Sequence, residues 1–525
     1  MPGLLLLLAA WALAAAAPLP YPAAAAAPDL TPAPHRLRRA RARALADHYT
    51  RRWLARGLPL PQPQPLLLPL DHYSAGGAAT SFNSTFWLNT AYLNASAAGP
   101  LPLFLFVCAE EECDASRTLG GVHVQLAQAH GAAILALQHR YYGSARPFPD
   151  TAAARLGGLA SAQALADWAW LLSTRVLPAL NASAPGAARV VAFGGSYGGQ
   201  LAAWLRLKYP HLVHAAVASS APVLTALDYP GYDDVVGRAL GDPASGGAPA
   251  CRATLAQGFE AIAQGLAGGA SARARAAALA ALASCTDLTA SPLDAPFGIT
   301  QAANVFKGVV QSSGQWFARY GIAALCANLS ASLARGGSPL DAVGDFTRLY
   351  LAAEFGPQAA CQSLGYGEWL AWISDASPAG PAYRLWLWQT CSEQGKAQSS
   401  AAPPGGASPF SALGQSAAQY YEACGEVFGG AVGPSGAARL AAAATARYGG
   451  TAPAASRVAW VNGLADPWSE AGVLATADAA AQPLVLIPGA SHCADMDEAA
   501  PGDSAAMAEA HRRVAGYVAQ WLAME

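Results

Sequence analysis

The chain is poor in charge. Only 12% of its 525 residues are Asp, Glu, Lys or Arg, and the formal net charge is -2. Nucleic-acid binding needs a strongly basic surface, so that class of partner is excluded. The nine cysteines form no C-x-x-C pair and no zinc spacing, and neither a metal site nor a cofactor is expected. Apolar runs of bilayer-spanning length are missing too. Leu4 to Ala17 is apolar but short, and it ends in small residues. It reads as a cleaved secretory signal, residues 1–17, rather than a membrane anchor.

What the chain has is apolar bulk. At 53% hydrophobic, it is long enough to bury a large core in two joined domains. Asn-x-Ser/Thr sequons at Asn83, Asn94, Asn181 and Asn328 are candidate glycosylation sites and agree with a secretory route. In an oxidising compartment most cysteines pair, and an odd count leaves at least one over. Cys251, Cys285, Cys326, Cys361 and Cys391 fall close enough in the chain to suggest a stapled insertion. Their connectivity is not readable from spacing.

Residues 18–74 read as a basic and Pro-rich lead-in. The run His35 to Arg43 is either a processing site or, by preference, a solvated helix face. Leu58 to Leu70 reads as extended. From Leu101 the pattern becomes α/β. Short apolar runs at Leu103–Val107, Ala132–Leu137, Val190–Phe193 and Ala215–Ala218 alternate with helical stretches. Such runs suit parallel strands buried on both faces. The pattern stops near Asp228, gives way to Ala-rich helical sequence, and resumes at Arg457–Val461 and Pro483–Ile487. The expected organisation is a first sheet segment over 75–227, a helical cap over 228–450, and a second sheet segment over 451–525.

The chemistry centres on Gly194-Gly195-Ser196-Tyr197-Gly198-Gly199, between a strand and a helix. Flanking glycines permit a turn sharp enough to lift the serine hydroxyl to its apex, as in a nucleophile elbow. A serine needs a histidine base and an orienting carboxylate. Asp466 follows the strand ending at Val461, and His492 follows the strand ending at Ile487. Taken alone, Asn462-Gly463 and Asp466-Pro467 read as turn pairs, and a lone histidine as a surface residue. Together with Ser196 they stand in the order Ser, Asp, His at the carboxyl ends of strands, the α/β-hydrolase arrangement. Ser196, Asp466 and His492 are therefore the expected catalytic residues. The oxyanion donors are expected at the Tyr197 N–H and in the loop after Leu103–Val107, at Ala109; losing one such donor typically costs about 100- to 1000-fold in rate.

These residues, with Gln138-His139-Arg140-Tyr141-Tyr142-Gly143, Ala162 to Asp167, Trp386 to Glu393 and Ser491-His492-Cys493, resemble a known family. It is the serine peptidase family of lysosomal Pro-X carboxypeptidase and dipeptidyl peptidase II. Trp386–Glu393 and Ser491–Met496 look most like its thymus-specific serine protease branch. The resemblance implies an α/β-hydrolase fold with a large helical cap inserted before the catalytic acid. It also implies hydrolysis of peptide bonds in short peptides, often beside proline, in an endosome, a lysosome or outside the cell. One departure stands out. The family's glycine-rich loop after the first matched strand is here Cys108-Ala109-Glu110-Glu111. Were φ positive there, Cys or Glu would be strained.

The acidic cluster Glu110, Glu111, Glu112 and Asp114 is read as mostly outward-facing, with Glu110 the exception and a candidate grip for a peptide amino terminus. Trp388 and Trp468 are candidate walls of a proline pocket, core packing being the competing reading. The His139–Gly143 tract reads as loop support ahead of substrate contact. Cys493 is either disulfide-bonded or the unpaired thiol. Homodimerisation stays open. Two competing functions remain: an ester hydrolase or lipase of the same fold, and a binding protein that has lost catalysis.

Overall fold

The computed structural model describes residues 33–74, 80–94, 96, 99–315, 318–356, 361–400 and 405–524. The expected signal, residues 1–17, lies outside them. Among the described residues no helix is long and apolar enough to cross a membrane.

Among the described residues eight strands form one sheet: β1 (Gln64–Pro69), β2 (Ser81–Asn89), β3 (Leu101–Phe106), β4 (Ala133–Leu137), β5 (Ala188–Gly195), β6 (Ala215–Ser219), β7 (Val458–Gly463) and β8 (Leu484–Ile487). Their order is β1-β2-β4-β3-β5-β6-β7-β8. The β1–β2 and β2–β4 pairs are antiparallel and all the others parallel. This is the expected α/β-hydrolase fold. The central strands are apolar throughout because both faces are covered. On β5, Val190 and Ala192 face Leu201 and Trp204, whereas Val191 and Phe193 face Val514 and Trp521.

The extended lead-in proves to be an edge strand. Leu66 and Leu68 of β1 point into the core and Leu67 into solvent. Pro65 and Pro69 sit in that strand without breaking the sheet, because prolines are tolerated on a sheet edge, where N–H groups need no partner.

Between β6 and β7 the regular elements are helical, and this insertion has its own core around Phe259, Phe306, Phe346 and Phe410. Cys251–Cys326, Cys285–Cys361 and Cys391–Cys424 staple it; Cys108–Cys113 closes the loop after β3, and Cys493 is the free thiol. Four disulfides are the chemistry of an oxidising compartment. The insertion sits on the sheet through a Trp204–Tyr448 stack at 3.9 Å and a Tyr229–Trp468 stack at 5.7 Å.

Arg140, 0% exposed, ties the lead-in to the sheet. Its Nε and one terminal nitrogen donate to the two Asp167 oxygens, each at 2.7 Å. Further bonds reach the carbonyls of Pro69, Leu70 and Gly158. Replacing one member of a buried pair strands the other charge. Arg140→Met is expected to lower the unfolding free energy by about 3–5 kcal/mol in urea titration. A loss under about 1 kcal/mol would show the pair to be dispensable.

Candidate active site

The elbow forms where β5 meets the helix Tyr197–Lys208. Ser196 takes φ 56°, ψ -127°, a conformation that most residues avoid. The turn is so tight that a Cβ on Gly194 would lie 2.1 Å from the Gly198 carbonyl oxygen. The serine amide donates to Ser219 O of β6 at 3.0 Å. The first helical hydrogen bond runs from Gln200 N to Ser196 O at 3.1 Å. The Tyr197 N–H, in the first turn, has no intrahelical acceptor and is available to an anion.

The histidine loop packs directly on this turn. A Cβ on Gly195 would lie 2.9 Å from Cys493 Sγ and 2.5 Å from Met496 Sδ. Cys493 N donates to Ser220 Oγ at 2.9 Å, one residue past the carbonyl that holds Ser196. His492 Nδ1 lies 2.9 Å from each Asp466 oxygen. Asp466 is 0% exposed and also accepts the Trp468 N–H at 2.9 Å. The parallel pairing Gly463↔Ile487 brings the acid and base loops together. The bond from Ala465 N to Ala490 O at 2.9 Å then holds them in register.

The insertion clamps the same loop. Ser491 Oγ donates to the carbonyls of Val310 and Gln311 at 2.6 and 2.9 Å, and Gln315 Nε2 donates to His492 O at 2.6 Å. Gln311 Oε1 accepts Tyr232 OH and the Trp468 indole N–H. Burial pulls the His492 imidazole toward its neutral form. The Asp466 charge, the adjacent Cys493 and the hydrogen bonds to both outweigh it and raise the pKa well above the ordinary histidine value.

The loop after β3 lies against the elbow. A Cβ on Gly198 would meet Val107 O at 2.6 Å and the Ala109 methyl at 3.5 Å. None of Cys108, Ala109, Glu110 and Glu111 has a positive φ. The conditional strain does not arise, because this loop takes a backbone that any residue adopts and the Cys108–Cys113 bridge closes it. Glu111 pairs with Arg117 at 3.5 Å, Glu112 is exposed, and Asp114 accepts the Ser116 N–H. Glu110 turns inward, close enough for its charge to act on His139.

His139, Arg140 and Tyr142 are buried supports. The Tyr197 phenol is held by His139 Nε2 at 3.2 Å, Ser161 Oγ at 3.2 Å and Gln389 Nε2 at 2.9 Å. Tyr142 OH donates to Gln389 Oε1 at 2.5 Å. Burial lowers the His139 pKa to about 4, which keeps that ring neutral. Gln311 carries no signal in the chain beyond its type, and Gln389 none beyond its place in the Trp386–Glu393 tract, since only the folded insertion brings them here.

A cavity of about 210 Å³ is walled by Phe297, Tyr383, Trp386, Lys396, Tyr420 and Trp468. Trp468 stands two residues past the acid, and the Trp386 ring lies 5.6 Å from that of Tyr197. Trp388 is not among the lining residues. It packs edge-on against Phe428, the core reading, and Trp386, one helical half-turn away, lines the cavity. The sequon residues Asn83, Asn94 and Asn181 are exposed, whereas Asn328 is half-buried and donates to Ala324 O in its own helix.

A family model described as serine carboxypeptidase S28 matches residues 68–514. Thymus-specific serine protease of Mus musculus is 33% identical over 457 residues, 86% of this chain and 86% of its own length. Lysosomal Pro-X carboxypeptidase of Homo sapiens is 50% identical over 91 residues, 16% of this chain and 17% of its own. Among solved structures, proline iminopeptidase of Mycobacterium smegmatis is 12% identical, with a TM-score of 0.33, over 87% of this chain and 99% of that one.

With the base raised by its carboxylate, the neutral imidazole is the form present above that pKa, so a reaction that needs it accelerates as pH rises. Asp466→Asn removes the charge and shifts the acid limb of kcat/KM to lower pH. It also cuts kcat by about 10,000-fold through the wrong tautomer. A pH–rate profile whose limb does not move would contradict the pairing.

Proposed function

Because the chain belongs to the serine carboxypeptidase S28 family, we propose that Ser196, His492 and Asp466 cleave peptide bonds in short peptides as an exopeptidase triad. The observation that carries this reading is the fully buried Asp466 facing His492 Nδ1 with both oxygens at 2.9 Å, in a loop packed on the elbow.

Ser196 Oγ attacks the scissile carbonyl carbon while His492 Nε2 takes its proton. The carbonyl oxygen becomes an oxyanion held by the N–H groups of Tyr197 and Ala109. The C–N bond then breaks, His492 returns the proton to the leaving amine, and an acyl-enzyme remains on Ser196. Water then attacks the acyl carbon as His492 takes its proton, the bond to Ser196 Oγ breaks, and His492 returns the proton to Oγ, freeing the acid. Asp466 stays ionised and keeps the Nδ1–H tautomer throughout.

Trp468 and the other aromatic walls supply a flat apolar surface suited to a proline ring, in keeping with the Pro-X name of one relative. Polar side chains among them, including Gln301, Asn304 and Gln398, suit a peptide rather than the acyl chain of a lipid ester. Glu110 is the proposed contact for a peptide amine. Disulfides and the lysosomal relative support action in the secretory pathway, at an endosome or lysosome or after secretion.

A fluorophosphonate probe is expected to label the protein and to spare Ser196→Ala. No labelling from acid to neutral pH would favour a binding role. A defined peptide mixture read by mass spectrometry is expected to lose single residues or dipeptides from chain ends, and internal cuts in long peptides would overturn the exopeptidase reading. Glu110→Gln is expected to weaken cleavage of peptides with a free amine more than of amine-blocked ones. Equal effects on both remove Glu110 from substrate binding.

A further inference from the structure

Lys396 is a charged group whose hydrogen-bond partners among the described residues are neutral. The residue is only 6% exposed and lines the cavity that Trp468 also walls. The ammonium carries three donors. One reaches Pro222 O at 2.9 Å and another Gln394 Oε1 at 3.3 Å, both neutral acceptors. Among the described residues no carboxylate forms an ion pair with it. Glu393, the nearest acid acting on its charge, spends its own Oε2 on the amide and hydroxyl of Ser161, each at 2.8 Å.

Burying an ammonium without a counter-charge costs several kcal/mol. Burial lowers the Lys396 pKa to about 7, with Glu393 acting in the opposite direction, so the group is cationic in acidic medium. The remaining donor belongs to a cation whose hydrogen-bond acceptors are both neutral, in the wall of the cavity.

The position is close to the chemistry. Gln394 accepts from Gln200 Nε2 at 3.0 Å, one helical turn past Ser196. Pro222 lies in the segment just after β6, whose Ser219 carbonyl holds the Ser196 amide. The other acidic or basic residues lining the cavity, Glu422 and Glu426, are exposed. A substrate carboxylate left beside them would be repelled, whereas at the inner wall it meets Lys396.

We propose that Lys396 is a specificity-determining residue that binds a carboxylate of the substrate within the cavity, an ion pair completed only by the bound peptide. This rests on the exopeptidase reading of the site. The two sources of that chemistry are the α-carboxylate of the peptide and an Asp or Glu side chain near its end. The α-carboxylate is the source if the enzyme trims from the carboxyl end, because the scissile bond then lies within one or two residues of it.

The test compares amine-blocked Ala-Pro-Phe as free acid and as amide, with Ala-Pro-Asp-amide against Ala-Pro-Asn-amide as the second pair. Wild type is expected to favour the acid in kcat/KM by about 10- to 100-fold, the range for a hydrogen bond to a charged group. Lys396→Gln is expected to bring the acid-to-amide ratio near one, and Lys396→Arg to restore a preference. A ratio of the second pair that collapses in Lys396→Gln assigns the carboxylate to a side chain instead. Both ratios unchanged in a Lys396→Gln protein with native circular dichroism would overturn the proposal. A merely structural lysine would lower all four substrates together, which also overturns it. Calorimetric binding of the acid and the amide to Ser196→Ala, and to its Lys396→Gln double variant, separates the two readings. A Lys396-dependent preference there survives even if no fluorophosphonate labels the wild type and the catalytic reading fails.

Discussion

The buried contact between Asp466 and His492 is the constraint that the rest of the structure satisfies. An ionised carboxylate with no solvent exposure is tolerable only with donors on its oxygens. Here these are the imidazole Nδ1–H and the Trp468 amide. To provide them, β7 and β8 run parallel in register and end at the same edge of the sheet. The elbow must arrive at that edge from β5, two strands away, which the β5–β6–β7 order achieves. Ser219 and Ser220, at the end of β6, hold the serine amide and the Cys493 amide, so one strand end positions both halves of the site.

The helical insertion is part of this site as well as a roof over it. Val310, Gln311 and Gln315 hold the histidine loop, and Gln389 holds the Tyr197 side chain. The Tyr197 N–H is the proposed oxyanion donor, so a shift of the insertion moves both the histidine loop and that donor. Buried networks of this kind gain rigidity when every member is satisfied and lose it abruptly when one is not. Three disulfides inside the insertion and aromatic stacks at its base restrain such shifts.

The parts legible in the chain were those set by local pattern. Ser196 between glycines, after an apolar strand, announces its own geometry, and Asp466 and His492 each follow a strand that periodicity reveals. The strands β1 and β2 were harder to read, because prolines in β1 and its alternating burial mimic an extended linker. Trp388 reads as either a pocket wall or core, and it is core while Trp386 lines the cavity, since the chain does not disclose which face of a short helix turns inward. Gln311, Gln389 and Lys396 acquire meaning only from contacts that span up to hundreds of residues. The pairing of Cys251 with Cys326 and of Cys285 with Cys361 likewise follows from helix packing, not from spacing.

The central claim is that three side chains act as one catalytic unit. Its most direct test is the kinetics of Ser196→Ala, His492→Ala and Asp466→Ala, singly and combined, on one peptide substrate. Members of a single unit are grossly non-additive. The triple variant is expected to be about as slow as Ser196→Ala alone. Losses that multiply across the three positions, or a His492→Ala protein close to wild type, would contradict the account.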